Sequence, residues 1–97
     1  VESRRLVGRA DRFIEGAEVS FWTRVLGGRP GDEIRHLWFH EGRVAMRADL
    51  AVGGSHWRTH SRLELPRGST GPWTVEARDM TGRLLARAEF LCVSEER

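Results

Sequence analysis

Apolar and polar side chains alternate along most of this chain, and the period is two. In residues 43–52, Val44, Met46, Ala48, Leu50 and Val52 fall on one face, with Arg43, Arg47 and Asp49 on the other. Residues 55–65 set Trp57, Thr59, Ser61, Leu63 and Leu65 against His56, Arg58, His60, Arg62 and Glu64. Residues 72–79 place Trp73, Val75 and Ala77 opposite Thr74, Glu76 and Arg78. In residues 83–93, Leu84, Ala86, Ala88, Phe90 and Cys92 share a face, opposite Arg87 and Glu89. The Leu, Ala, Arg and Glu of that last segment also favour helix, but the alternation predicts strand.

Three further strands are predicted over residues 4–10, 17–26 and 33–40. The breaks between segments carry turn residues: GGRPGD at 27–32, Gly53-Gly54, Pro66 with the 68–71 loop, and Met80-Thr81-Gly82. Glu41-Gly42 is a two-residue connection, so residues 33–40 and 43–52 should form a hairpin. About seven short strands, with turn signals roughly every eight to twelve positions and one apolar face each, predict two packed antiparallel sheets. The expected fold is an all-β, immunoglobulin-like antiparallel β-sandwich.

Each of the four tryptophans, Trp22, Trp38, Trp57 and Trp73, lies in one of these strands. A small sandwich gains much of its stability from a few large aromatics, so at least two should be buried. Trp22 shares its face with Arg24, while Phe21, Thr23 and Val25 face away; Trp38 alternates with His36 and His40, opposite Leu37 and Phe39. Trp22 and Trp38 are therefore the candidates for exposure.

Composition narrows the function classes. A chain of 97 residues is one domain, large enough to bury a single core without metal or disulfide staples. Its 39% hydrophobic and 31% charged content suits a globular chain rather than a disordered one. No apolar run approaches membrane-spanning length, so membrane insertion by this domain is not expected. The chain opens on Val, which reads as a processed chain or a domain excised from a larger protein. All sixteen basic residues are Arg, but fourteen acids are interspersed and the formal net charge is +2. With no block of like charge, nucleic-acid binding is not expected. The single cysteine, Cys92, excludes an intrachain disulfide, and its place in the apolar phase predicts a buried thiol. No nucleophile elbow, phosphate-binding loop, zinc-protease or dinucleotide motif is present, so no catalytic residue and no cofactor is assigned.

The four histidines form two H-x-x-x-H pairs, His36/His40 and His56/His60. Along one strand each pair is separated by about 13 Å at ~3.3 Å per residue, too far to share an ion. One His from each of two neighbouring strands, His36 and His60, would have to converge to hold zinc or copper. The simpler expectation is a buried His36 hydrogen-bonded within its sheet, with the other three on solvated faces.

Five short motifs occur in order: Phe21-Trp22-Thr23-Arg24, His36-Leu37-Trp38-Phe39, Trp57-Arg58-Thr59-His60-Ser61, Gly71-Pro72-Trp73-Thr74-Val75 and Asp79-Met80-Thr81-Gly82-Arg83-Leu84. Together they resemble the bacterial family called domain of unknown function 2914, over nearly the whole chain. The family often has an aromatic residue after W-R-T, where this chain has His60. The resemblance implies an accessory module of a larger, often membrane-attached or envelope protein, and it carries over no catalytic residue.

Trp22, Arg24, Trp38, Arg58 and His60 are the candidate ligand-binding residues. Exposed indoles stack on the C–H faces of sugar rings, and Arg forks bind carboxylate or sulfate. The expected function is a non-catalytic module binding carbohydrate through exposed Trp. The alternatives are a protein–protein interaction or spacer domain of an envelope assembly, whose edge strands accept a partner strand, and metal binding through His36 and His60.

Overall fold

The computed structural model describes the backbone of residues 2–5 and residues 12–94 in full. Its strands are β1 (Glu2–Arg5), β2 (Arg12–Ile14), β3 (Glu18–Leu26), β4 (Glu33–His40), β5 (Arg43–Ala51), β6 (His56–Glu64), β7 (Gly71–Arg78) and β8 (Leu84–Val93). Among the described residues there is no helix, and Cys92 is a free, buried thiol. The strand predicted over 4–10 falls largely on residues 6–10, outside the described residues. The three-residue β2 was not anticipated, because RFI is too short to show alternation.

Two sheets form, with strand orders β1-β3-β6 and β2-β8-β7-β4-β5. All pairings are antiparallel except β2 with β8, which is parallel. The β4–β5 and β7–β8 pairs are hairpins, whereas β3 finds its partner in the distant β6. This combination of hairpins and a long-range pairing is the Greek-key pattern of an immunoglobulin-like sandwich. The β4–β5 connection is the predicted tight turn: Glu41 (φ 53°) and Gly42 (φ 80°) both take the positive φ that a type I′ hairpin requires.

The inner faces interdigitate. β3 contributes Val19, Phe21 and Val25; β7 contributes Trp73, Val75 and Ala77; β8 contributes Ala88, Phe90 and Cys92; all are buried. Trp73 stacks on Phe90 at 5.9 Å, and Trp38 meets Phe90 edge-on at 6.2 Å. Such aromatic pairs add about 0.5–1.5 kcal/mol each beyond the area they bury.

Two bulges break the alternation that the sequence suggested. Trp38 pairs with Met46 but Phe39 pairs with Val44, so Ala45 is an extra residue on β5. Val44 is thereby turned out beside Phe39 and is 57% exposed. On β8, Ala86 pairs with Ala77 and Leu84 with Arg78, which makes Leu85 the extra residue. Leu85 packs against the core, and Leu84 faces solvent.

The connections gather at the two ends of the sandwich. At one end, the β3–β4, β5–β6 and β7–β8 loops meet. Gly27 N–H donates to the Ser55 carbonyl (2.8 Å) and Val52 N–H to the Asp32 carbonyl (2.8 Å). At the other end, Gly16 N–H donates to the Leu65 carbonyl and Leu65 N–H to the Ala17 carbonyl. Trp57 sits near the first end, its indole lying over Gly53 so closely that a Cβ there would come within 2.6 Å of the ring.

Candidate functional site

Four of the five candidate residues come together on the outer face of the three-stranded sheet. Antiparallel register sets Trp22 opposite His60 and Arg24 opposite Arg58. Directly opposed side chains on such a pair lie about 4.5–5.5 Å apart at Cβ, and diagonal neighbours about 7–8 Å. The contacts follow from that spacing. The His60 imidazole stacks on the Trp22 indole, with centroids 4.2 Å apart and planes inclined by 21°. The Arg58 guanidinium lies over the same indole, 5.4 Å from its centroid, a cation–π contact. Trp22 and Arg24 are half-buried, and Arg58 is exposed. A notch of about 60 Å³ opens between Trp22, Arg24 and Arg58. Further along the face, Arg62 reaches Glu18 at 3.8 Å. Both side chains of that pair are well exposed, so it contributes little to stability.

Trp38 is not part of this face. It is fully buried, on the inner side of β4, so the expectation that it is exposed and binds a ligand does not hold. β4 lies between β5 and β7 and is covered by the other sheet, so its His36–Trp38 side is the interior and its Leu37–Phe39 side the surface. Of the tryptophans, Trp38 and Trp73 are buried, Trp22 is half-buried and Trp57 is 39% exposed.

The buried side of β4 holds a polar network instead. His36, fully buried, spans the two sheets: Nε2 is 2.8 Å from Thr23 Oγ1 on β3, and Nδ1 is 2.6 Å from Ser61 Oγ on β6. Ser61 Oγ also accepts a hydrogen bond from Trp38 Nε1 at 2.9 Å. Phe21 packs edge-on against the imidazole at 4.8 Å. Burial holds the His36 pKa down, to about 4, and the charge on His60 adds to the effect. The neutral ring is sufficient here: with one nitrogen protonated it donates to one hydroxyl and accepts from the other. Sequence reasoning expected His36 to be buried and hydrogen-bonded within its own sheet; the burial holds, but both partners lie on the opposite sheet, because the side chain points inward across the sandwich and not along it. The signal was present, since Thr23 and Ser61 are hydroxyl residues in phase with the apolar positions of their strands.

The structure does not bring His36 and His60 together to share a metal. His36 points into the core with both ring nitrogens engaged, while His60 stacks on Trp22 on the opposite side of the three-stranded sheet. His40 is likewise occupied, stacked on Trp73 at 4.9 Å with Nε2 donating to the Thr70 carbonyl at 2.9 Å. Among the described residues, no group of three or more His, Cys, Asp or Glu is placed to hold an ion, and no helix is long and apolar enough to cross a membrane.

A second concave feature, which the alternation did not reveal, lies where the three loops meet. It is a cleft of about 260 Å³ between the two sheets, floored by Val25, Ile34, Val52 and Leu85.

In comparisons with known proteins, no curated protein and no solved structure matches this chain. One family does, described as "Protein of unknown function (DUF2914)", over residues 31–91. That span contains four of the five motifs in full, including the His36–Trp38 segment and the Trp57–Ser61 strand that closes the buried network; Phe21–Arg24 lies ahead of it. Since the match covers more than half of the 97 residues, the chain belongs to the DUF2914 family.

Proposed function

We propose that this domain is a non-catalytic binding module of a larger bacterial envelope protein, and that it recognises acidic saccharides, meaning sugars bearing carboxylate or sulfate. The supporting observation is the grouping of Trp22, Arg24, Arg58 and His60 on one solvent-facing sheet surface. Trp22 acts there less as an open stacking platform than as a scaffold. His60 and Arg58 already lie against its indole, which leaves less ring face for a neutral sugar. What the face offers is a guanidinium held in place by the ring, with Arg24 beside it and a notch of about 60 Å³ between them. A planar fork held in position loses little freedom when it pairs with a carboxylate or sulfate.

The test is affinity electrophoresis through gels containing a polyuronate, a sulfated glycan or a neutral glucan. Salt is kept near physiological strength, so that unspecific attraction to polyanions is screened beyond about 8 Å. Retardation in the acidic gels, lost in Arg58→Ala and reduced in Trp22→Ala, is the expected result. Equal retardation of Arg58→Ala and of the unchanged chain, or retardation by the neutral glucan alone, would refute the reading.

A further inference from the structure

The cleft at the loop end has properties unlike those of the cationic sheet face. Its floor is formed by Val25, Ile34, Val52 and Leu85, three of which make up a small apolar cluster separate from the main core. Its rim carries Asp32, Glu33 and Asp79, against a single Arg83. Two apolar side chains border it in solvent: Met80, 65% exposed, and Leu26, 41% exposed. Exposed apolar side chains grouped around a concavity and ringed by charge mark interaction sites, and Met adapts its shape to what it meets.

The rim itself is well ordered. Asp79 Oδ1 accepts hydrogen bonds from Thr81 N–H (2.9 Å), Thr81 Oγ1 (2.7 Å) and Arg83 N–H (2.9 Å), which fixes the β7–β8 turn. Asp32 Oδ2 accepts from Arg29 N–H at 3.0 Å. The loop end is thus formed before anything binds, and little ordering cost remains to be met on binding.

Size and charge select the occupant. At about 260 Å³ the cleft falls below the roughly 300–1,000 Å³ typical of sites that enclose a whole small molecule. It suits one apolar anchor side chain from a larger partner, the way buried hot spots fill pockets at protein interfaces. A second concavity of about 190 Å³ continues from it past Met80, over Glu33, Arg35 and Asp49. A chain anchored in the first therefore runs on across a charged shelf. Arg83 pairs with Asp79 at 3.5 Å, so Asp32 and Glu33 supply the excess charge of the rim, and the complementary flanking residues are basic.

We infer that the loop end of the sandwich is a docking site for an extended protein segment that inserts one apolar side chain between Val25, Ile34, Val52 and Leu85 and presents Lys or Arg to the acidic rim. This site is independent of the saccharide face, which lies on the outside of the three-stranded sheet.

The probe is a short peptide with one central leucine flanked by lysines, titrated into the isotope-labelled chain and followed by amide shifts. Two controls replace the lysines with glutamates or the leucine with glycine. The expected result is saturable shifts at Ile34, Val52 and Met80 below millimolar peptide, with affinity at least about tenfold weaker (1.4 kcal/mol) for the glutamate peptide and no saturation for the glycine peptide. Met80→Ala, at an exposed position, should weaken binding, and Glu33→Lys, which brings the rim to net neutrality, should abolish the charge preference. Shifts confined to other surfaces, equal affinity for the lysine and glutamate peptides, or no shift at millimolar peptide would overturn the inference. So would shifts at these amides that depend on protein concentration without peptide, which would show that a second copy of the chain occupies the cleft.

Discussion

Acidification should destabilise this domain through one side chain, His36, at pH values above those at which Asp49 and Asp79 gain their protons. The ring is fully buried and bonded to Thr23 and Ser61, and its pKa falls from 6.5 to about 4 in the fold. In the unfolded chain it returns to its ordinary value. Between those two pH values the unfolded state therefore binds the extra proton, and stability falls as pH drops through 6.5 toward 4. At about 1.4 kcal/mol per pH unit the full loss is about 3 kcal/mol, with about 2 kcal/mol already gone at pH 5. That is a large fraction of the 5–15 kcal/mol typical of a small domain. The paired acids act elsewhere on the pH scale. Asp49, held down by hydrogen bonds from Arg47 and Arg35, and Asp79, held down first by the Thr81 hydroxyl, both titrate below 3.8 in the fold. Their contributions are present above that value and disappear only below it. Urea unfolding at a series of pH values from 7 to 4, together with an NMR titration of the imidazole signals, measures the effect. Equal stability at pH 7 and pH 5, or a His36 ring that gains its proton near 6.5 in the folded state, would refute the argument.

Two further perturbations test the packing that positions these sites. Ser61→Ala removes the hydroxyl that pairs with both His36 Nδ1 and Trp38 Nε1; leaving both buried groups without that partner should cost about 2–4 kcal/mol in urea unfolding, and a cost under 1 kcal/mol would mean that water or another group satisfies them. Gly53→Ala places a methyl within 2.6 Å of the Trp57 ring; displacing the indole should cost about 1–3 kcal/mol and red-shift the tryptophan emission, whereas unchanged stability and emission would show that the loop yields freely.

Alternation is a local property, and what depends on it alone was legible in the amino-acid order. The six strands from Glu18 to Val93, the Glu41-Gly42 hairpin, the buried Cys92 and the inward Trp73, Val75 and Ala77 all follow from a period of two bounded by turn residues. So does the grouping of Trp22 and Arg24 on one face and of Arg58 and His60 on another, although not their meeting across β3 and β6, which long-range register supplies.

Which side of a strand is covered is a different matter, because a strand with large residues on both sides reads the same either way up. β4 has Trp38 with His36 on one side and Leu37 with Phe39 on the other. Only the placement of that strand between β5 and β7, beneath the opposite sheet, sent Trp38 inward to Ser61. The bulges at Ala45 and Leu85 arise from pairing with a partner strand, so a single strand's pattern did not reveal that Val44 and Leu84 turn outward. The loop-end cleft is the furthest from sequence: its floor gathers Val25, Ile34, Val52 and Leu85 from four strands or their ends. Chain order alone determined the faces that each strand offers; the stacking of two sheets decided which faces became core, which became surface, and where a cavity was left between them.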